Sequence, residues 1–93
     1  MTDVTEILEE RGSRYGSFVG HAKLTMQLKN AIHDHWLARD DVDTVPDDVV
    51  EALHMICHKI GRIVNGDPNY ADSWVDIAGY AKLVADRLEG KVR

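Results

Sequence analysis

The chain has 93 residues, of which 44% are hydrophobic and 29% are charged, and its formal net charge is −5. This length and composition fit a single globular domain over residues 1–93 and exclude an intrinsically disordered chain. The acidic balance argues against direct nucleic-acid binding, and the absence of an apolar run of about 20 residues argues against a membrane span.

The N-terminal segment predicts a short helix from about residue 3 to 11. Asp3 followed by Glu6 resembles a capping box, and Gly12 is expected to stop the helix. This acidic segment lacks the basic start and apolar centre of a signal peptide. Together with the single Cys57, which has no partner for a disulfide within the chain, it predicts a cytoplasmic protein.

Periodic apolar residues predict two long helices in the middle of the chain. The first runs from Phe18 to about Leu37 and carries a stripe of apolar side chains: Leu24, Leu28, Ala31, Ile32 and Trp36. The second runs from about Pro46 to Val64 with the stripe Val49, Leu53, Ile56, Ile60 and Ile63. Cys57 flanks this second stripe and is expected to be a small core residue. Gly66 is predicted to be a left-handed C-cap.

The last predicted helix opens either at Asp67-Pro68 or between Tyr70 and Asp72, and it ends at Gly90. Its stripe is expected to be core: Trp74, Ile77, Ala81, Val84 and Leu88. Gly79 inside this helix costs about 1 kcal/mol relative to Ala, which a close helix–helix approach would explain.

These elements predict an all-α fold. Three long helices and a short N-terminal helix form a small antiparallel bundle. The long apolar stripes in so short a chain predict that oligomerisation completes the bundle, with a homodimer as the first expectation.

Two histidines are candidate ligand contacts. His54 and His58 stand one helical turn apart, which is also the spacing of zinc ligands on a helix, although the glutamate of the HExxH signature is missing. Arg62 continues the same line and would repel a cation. A surface position for the pair and a contact with phosphate remain open alternatives to a metal site.

Two carboxylates on the last helix are candidate metal ligands. Asp72 and Asp76 share a face at the spacing with which two acids can hold one divalent cation, and Tyr80 continues that face. Asp72 also fits an ordinary acidic helix start. Asp76 lies near the apolar stripe and needs a partner, for which Lys59 or Arg62 is the structural alternative.

Three blocks of the sequence resemble a family of short phage and prophage proteins without assigned function. They read RYGSF (Arg14–Phe18), EALHMICHKIGRIVNGDP (Glu51–Pro68) and YADSWVDIAGYAKL (Tyr70–Leu83). The resemblance implies a phage or prophage origin and says little about mechanism.

The segment DIAGYAKLVA, which starts at Asp76, is more distantly similar to the last core helix of the all-α MazG-type nucleoside triphosphate pyrophosphohydrolases. That resemblance implies Mg²⁺ held by an ExxE pair on one helix and an ExxD pair on the next. Asp76 matches the aspartate of ExxD, whereas Ser73 replaces its glutamate. Glu51 and His54 stand where ExxE would fall, so that two of the four carboxylates are missing.

Two functions follow as hypotheses. The first is a small phage-encoded helical protein that binds a host protein or a nucleotide. The second is a divergent Mg²⁺-dependent nucleotide pyrophosphohydrolase, with Asp72 and Asp76 on the metal and His54, His58, Lys59 and Arg62 facing phosphate. No catalytic residue is assigned, because no Ser-His-Asp or Cys-His arrangement has a meaningful spacing. DNA mimicry by the acidic connection (residues 40–48) is a weaker third alternative.

Overall fold

The computed structural model describes residues 3–42 and 44–93, and that part of the chain contains four helices and no strand. The helices are α1 (Val4–Tyr15), α2 (Phe18–Leu37), α3 (Asp47–Asn65) and α4 (Ala71–Leu88). The prediction of a small all-α bundle with three long helices and a shorter N-terminal one is confirmed.

The helix boundaries confirm some of the predicted caps and correct others. Asp3 caps α1, where its carboxylate accepts a hydrogen bond of 3.1 Å from the backbone N–H of Thr5. The predicted stop at Gly12 is wrong, because one glycine inside a helix costs only about 1 kcal/mol and α1 continues to Tyr15. Gly66 has φ −126° and ψ −134°, so the predicted left-handed cap is also wrong.

Helix α3 is the central element of the fold. Helices α2 and α4 pack on different sides of it and do not contact each other within the described residues. Both run antiparallel to α3. At the α4 side, Asp48 near the start of α3 accepts hydrogen bonds of 2.7 Å from Arg87 near the end of α4. At the α2 side, His58 near the end of α3 meets His21 near the start of α2.

The interface between α2 and α3 is close because Gly61 has no side chain. A Cβ at Gly61 would lie 2.5 Å from Cγ2 of Thr25 and 2.9 Å from Nδ1 of His21, both of which are buried. Gly79 on α4 has no such neighbour, since no atom of another described element lies within 4 Å of where its Cβ would be. The predicted close approach at Gly79 is therefore wrong.

The apolar core of this single chain is small. Only three apolar residues of the described part are buried, namely Ala52, Cys57 and Ile63, and no large side chain is fully buried. The prediction for Cys57 is confirmed. The core prediction for the α4 stripe is wrong at three of its five residues, since Trp74 is 55% exposed, Leu88 is 69% exposed and Ala81 is exposed as well. Among the four helices of the described residues, α4 packs only against α3, and the stripe extends beyond the side of α4 that α3 covers.

No helix in residues 3–42 and 44–93 combines the length and the apolar character that crossing a membrane requires.

Candidate functional site

Two loops interlock at one end of the bundle and position the candidate site. The side-chain amide of Asn65, at the end of α3, donates hydrogen bonds to the carbonyls of Tyr15 at 2.8 Å and Ser17 at 2.9 Å. The backbone N–H of Asp67 donates to the carbonyl of Arg14 at 2.6 Å. Gly16 has φ +75°, and any Cβ there would collide with Asn65. The turn between α1 and α2 is therefore held against the end of α3.

Two adjacent tyrosine rings, each covered by a guanidinium group, strengthen this contact. Arg62 lies over the ring of Tyr15 with its Cζ 4.2 Å from the ring centroid, and Tyr15 meets Tyr70 edge-on at 6.2 Å. Arg14 lies over the other tyrosine, Tyr70, at 4.6 Å. Cation–π pairs of this kind fix the orientation of a guanidinium as well as its position. Arg62 is consequently held in place at the edge of α3.

A cleft of about 570 Å³ opens beside Arg62, between α1, the start of α2 and the last turns of α3. This volume lies within the range of small-molecule sites, roughly 300–1,000 Å³. The residues that line the cleft are Leu8, Arg11, Gly12, Tyr15, Gly16, Phe18, His21, His58 and Arg62. No carboxylate of residues 3–42 and 44–93 is among them, although the chain as a whole carries a net charge of −5.

The floor of the cleft contains a pair of histidines. Nε2 of His21 and Nδ1 of His58 are 3.2 Å apart, which makes one ring a donor and the other an acceptor. Burial, with a contribution from Arg62, lowers the pKa of His21 below its ordinary value. The same two causes, and His21 itself, lower the pKa of His58 to about 4. Both rings are therefore neutral near pH 7, and Arg11 and Arg62 supply the positive charge of the cleft.

The predicted ligand contacts separate into two groups in the structure. His58 and Arg62 line the cleft. His54 instead lies against His33 of α2, with their Nε2 atoms 2.7 Å apart. Lys59 is buried against α4, and Tyr80, half-buried on α4, is not among the residues lining the cleft. The helical spacing of His54 and His58 therefore does not make them one site.

The carboxylates proposed as metal ligands have other partners. Oδ2 of Asp76 lies 3.0 Å from Nζ of Lys59. Asp72 accepts a hydrogen bond of 2.9 Å from the hydroxyl of Tyr70, and this bond raises the pKa of Tyr70. Within residues 3–42 and 44–93, no three His, Cys, Asp or Glu side chains come together as a metal-binding group. A metal bound by Asp72 and Asp76 stays a prediction.

The position of Asp76 also bears on the resemblance to pyrophosphohydrolases. Its neighbour across the helix interface is Lys59, and Glu51 lies eight residues earlier on α3, about 12 Å along the helix axis. Glu51 and His54 are thus not level with Asp76. The side chain that is level with it carries a positive charge, where the resemblance would require an acid.

Seven of the nine residues that line the cleft were not predicted as contacts, and the charged and aromatic ones among them are Arg11, Tyr15, Phe18 and His21. The signal for two of them was the RYGSF block, which contains Tyr15 and Phe18 and was used only for the resemblance to phage and prophage proteins. These residues line the cleft only because α1 packs near α3, and no local sequence pattern predicts that packing.

No protein of curated function and no solved structure shows significant similarity to the chain. The domain of unknown function DUF6378 matches residues 1–88, which is nearly the whole chain. The protein therefore belongs to the DUF6378 family.

Proposed function

We propose that this protein binds a small phosphorylated molecule of nucleotide size in the cleft between α1, α2 and α3. The observation that carries the proposal is the presence of both Arg11 and Arg62 in a cleft whose described lining contains no carboxylate, on an otherwise acidic chain. Guanidinium groups bind phosphate through paired, charge-assisted hydrogen bonds. An anion in this cleft would be attracted locally although the whole protein repels it.

The aromatic lining favours a nucleotide over inorganic phosphate. Phe18 lines the cleft with 79% of its surface exposed, and an exposed phenylalanine beside a cleft is available to stack on a base. His58 is neutral near pH 7 and contributes hydrogen bonding rather than charge. A ligand with both a flat ring and a phosphate group uses all of these features.

Isothermal titration with nucleoside mono-, di- and triphosphates, the free nucleosides and inorganic phosphate tests the proposal. Phosphorylated nucleosides should bind, and free nucleosides should bind at least 10-fold more weakly. Arg11→Gln should weaken nucleotide binding by about 10- to 150-fold, because one charge-assisted hydrogen bond contributes about 1.5–3 kcal/mol. Arg39→Gln is the matched control, since Arg39 pairs with Asp41 away from the cleft.

Two results would overturn the proposal: no measurable binding of any phosphorylated compound, or equal weakening by Arg11→Gln and Arg39→Gln. Binding of inorganic phosphate as tight as that of nucleotides would reduce the site to a phosphate site. Binding to a host protein, a phage or prophage origin and a cytoplasmic location stay predictions from the sequence.

The pyrophosphohydrolase hypothesis also stays a prediction, and it requires Mg²⁺ at Asp76. Lys59 already places an ammonium 3.0 Å from that carboxylate and would repel a divalent cation. The same nucleotide panel, repeated with Mg²⁺ or Mn²⁺, tests the hypothesis through pyrophosphate release. Release that disappears in a folded Asp76→Asn variant would support the enzyme over a binding protein.

A further inference from the structure

The apolar stripes of α3 and α4 meet on one face of the fold. On α3, Gly61 faces α2 and Lys59 faces α4. Ile60 lies between them in sequence and about 100° of helix rotation from each, so it points to one side of α3, between the directions of its two neighbours. Leu53 and Ile56 continue the line of Ile60. All three are half-buried rather than buried.

Helix α4 continues this apolar face. Trp74, Ala81 and Leu88 are spaced by seven residues, which places them on one side of the helix. Ala81 is exposed, as are the two larger residues. We call the surface formed by Leu53, Ile56, Ile60, Trp74, Ala81 and Leu88 the stripe face. The cleft residues His58 and Arg62 point to the other side of α3, so the stripe face and the cleft are separate surfaces.

The chain exposes more surface than a stable monomer of its size. Its accessible surface is 6845 Å², whereas a compact monomer of 10.5 kDa exposes about 5,400 Å². Its radius of gyration is 15.8 Å, against about 12 Å for a compact domain of 93 residues. The excess of about 1,400 Å² is larger than the roughly 800 Å² that one partner buries in a standard interface.

We propose that a second copy of this chain covers the stripe face, in a two-fold symmetric homodimer in which the two α4 helices cross antiparallel near Ala81. Trp74 and Leu88 are each seven residues from Ala81, about 10 Å along the helix. A two-fold axis at Ala81 therefore sets Trp74 of one copy opposite Leu88 of the other. The large side chains meet at both ends of the contact, and alanine at the centre allows the helices to approach.

A second copy of the chain is a better candidate than an unrelated partner because the single chain buries few of its apolar side chains. No large side chain is fully buried in the described residues, so the partner contributes to folding itself. A copy of the same chain is present whenever the chain is made, and isologous contacts are the commonest solution in such proteins. The inference is independent of the proposed ligand, which binds on the other side of α3.

Sedimentation equilibrium of the full chain tests the oligomeric state, and site-directed crosslinking tests the interface. The mass should be twice 10.5 kDa at micromolar concentration. Ala81→Cys should form an intermolecular disulfide under mild oxidation because the two positions lie near the axis. Val75→Cys is the matched control: it is 65% exposed on the same helix but points away from the stripe face, and should remain uncrosslinked.

Ala81→Glu and Val75→Glu extend the test by placing a charge at the same two positions. Ala81→Glu should raise the dimer dissociation constant at least 100-fold or unfold the chain, and Val75→Glu should leave the mass unchanged. A monomeric mass throughout, or crosslinking at Val75 rather than at Ala81, would overturn the proposal. If Ala81→Glu unfolds, the cysteine pair still decides, because Ala81→Cys is a mild change at an exposed position.

Discussion

Helix α3 packs against α2 on one side and against α4 on the other, and the two contacts differ in how closely the helices approach. Towards α2 the helices come close together: Gly61 lies against Thr25 and His21, and all three residues are buried. Towards α4 the contact includes the Lys59–Asp76 ion pair, while the ends of the α4 stripe remain open to solvent. An apolar stripe shows which side chains need cover. A glycine in the interface, such as Gly61, shows where a neighbouring helix of the same chain packs closely enough to cover those side chains.

Substituting the glycine at the α2 side should have the largest effect on stability. In Gly61→Ala the new Cβ would lie 2.5 Å from Thr25 and 2.9 Å from His21. Overpacking of this kind costs about 3 kcal/mol, and the higher helix propensity of alanine offsets about 1 kcal/mol. The free energy of unfolding, measured in urea, should therefore fall by about 2 kcal/mol.

Gly61→Ser is a second test of the same contact. Serine also places a Cβ at this position, and its helix propensity is lower than that of alanine. It should destabilise the fold at least as much as Gly61→Ala. An unchanged or increased unfolding free energy in both variants would show that α2 and α3 are not closely packed at this position.

The fold was largely predictable because helix formation is encoded locally. The apolar period of 3.6 residues identified the three long helices, and the predicted range of α2, Phe18–Leu37, is also the observed one. The open ends of the α4 stripe were not predictable, since the period does not tell whether a neighbour in the same chain or a second chain covers Trp74. The continuation of α1 past Gly12 was not predicted, because the sequence does not distinguish Gly12 from Gly16. It is Gly16 that ends the helix, since the contact with Asn65 leaves no room for a side chain there.

The candidate site was only partly predictable. His58 and Arg62 were named because they share a side of one helix, and both line the cleft. His54 shares that spacing, yet the antiparallel α2 offers it a different partner, His33, while it brings His21 to His58. Which residue of α2 meets each histidine depends on the register between two helices. That register is set by Gly61 and by the interlocked loops, not by a local pattern.

The His21–His58 pair should make the α2 side of the molecule sensitive to acid. Because the pKa of His58 is lowered from 6.5 to about 4 in the folded chain, the unfolded chain takes up a proton first as the pH falls. The contribution of neutral His58 to the free energy of unfolding is complete above pH 6.5, and it is lost as the pH falls from 6.5 to about 4. The loss attributable to His58 should be roughly 1–2 kcal/mol, after allowance for its partial exposure.

Urea unfolding of the wild type and of His58→Gln at intervals between pH 7 and pH 4.5 measures this loss. The wild type should lose more stability than the variant over that range, since glutamine does not titrate. The comparison cancels the carboxylates, which titrate in both proteins. Parallel pH profiles would show that His58 has an ordinary pKa and that its contact with His21 is weak.

The smallest effect is expected at the glycine on the open side, and it should have the opposite sign to that at Gly61. Gly79 lies inside α4 with nothing within 4 Å of where its Cβ would be, so alanine adds helix propensity without overlap. Gly79→Ala should raise the free energy of unfolding by about 0.5–1 kcal/mol, measured under the same conditions as Gly61→Ala. A destabilisation here would mean that a neighbour approaches Gly79. Because Gly79 and Ala81 lie on different sides of α4, that result would place the second copy of the chain on the side of α4 opposite to the proposed interface. The sign of this one substitution therefore tests the helix packing and the position of the proposed dimer interface together.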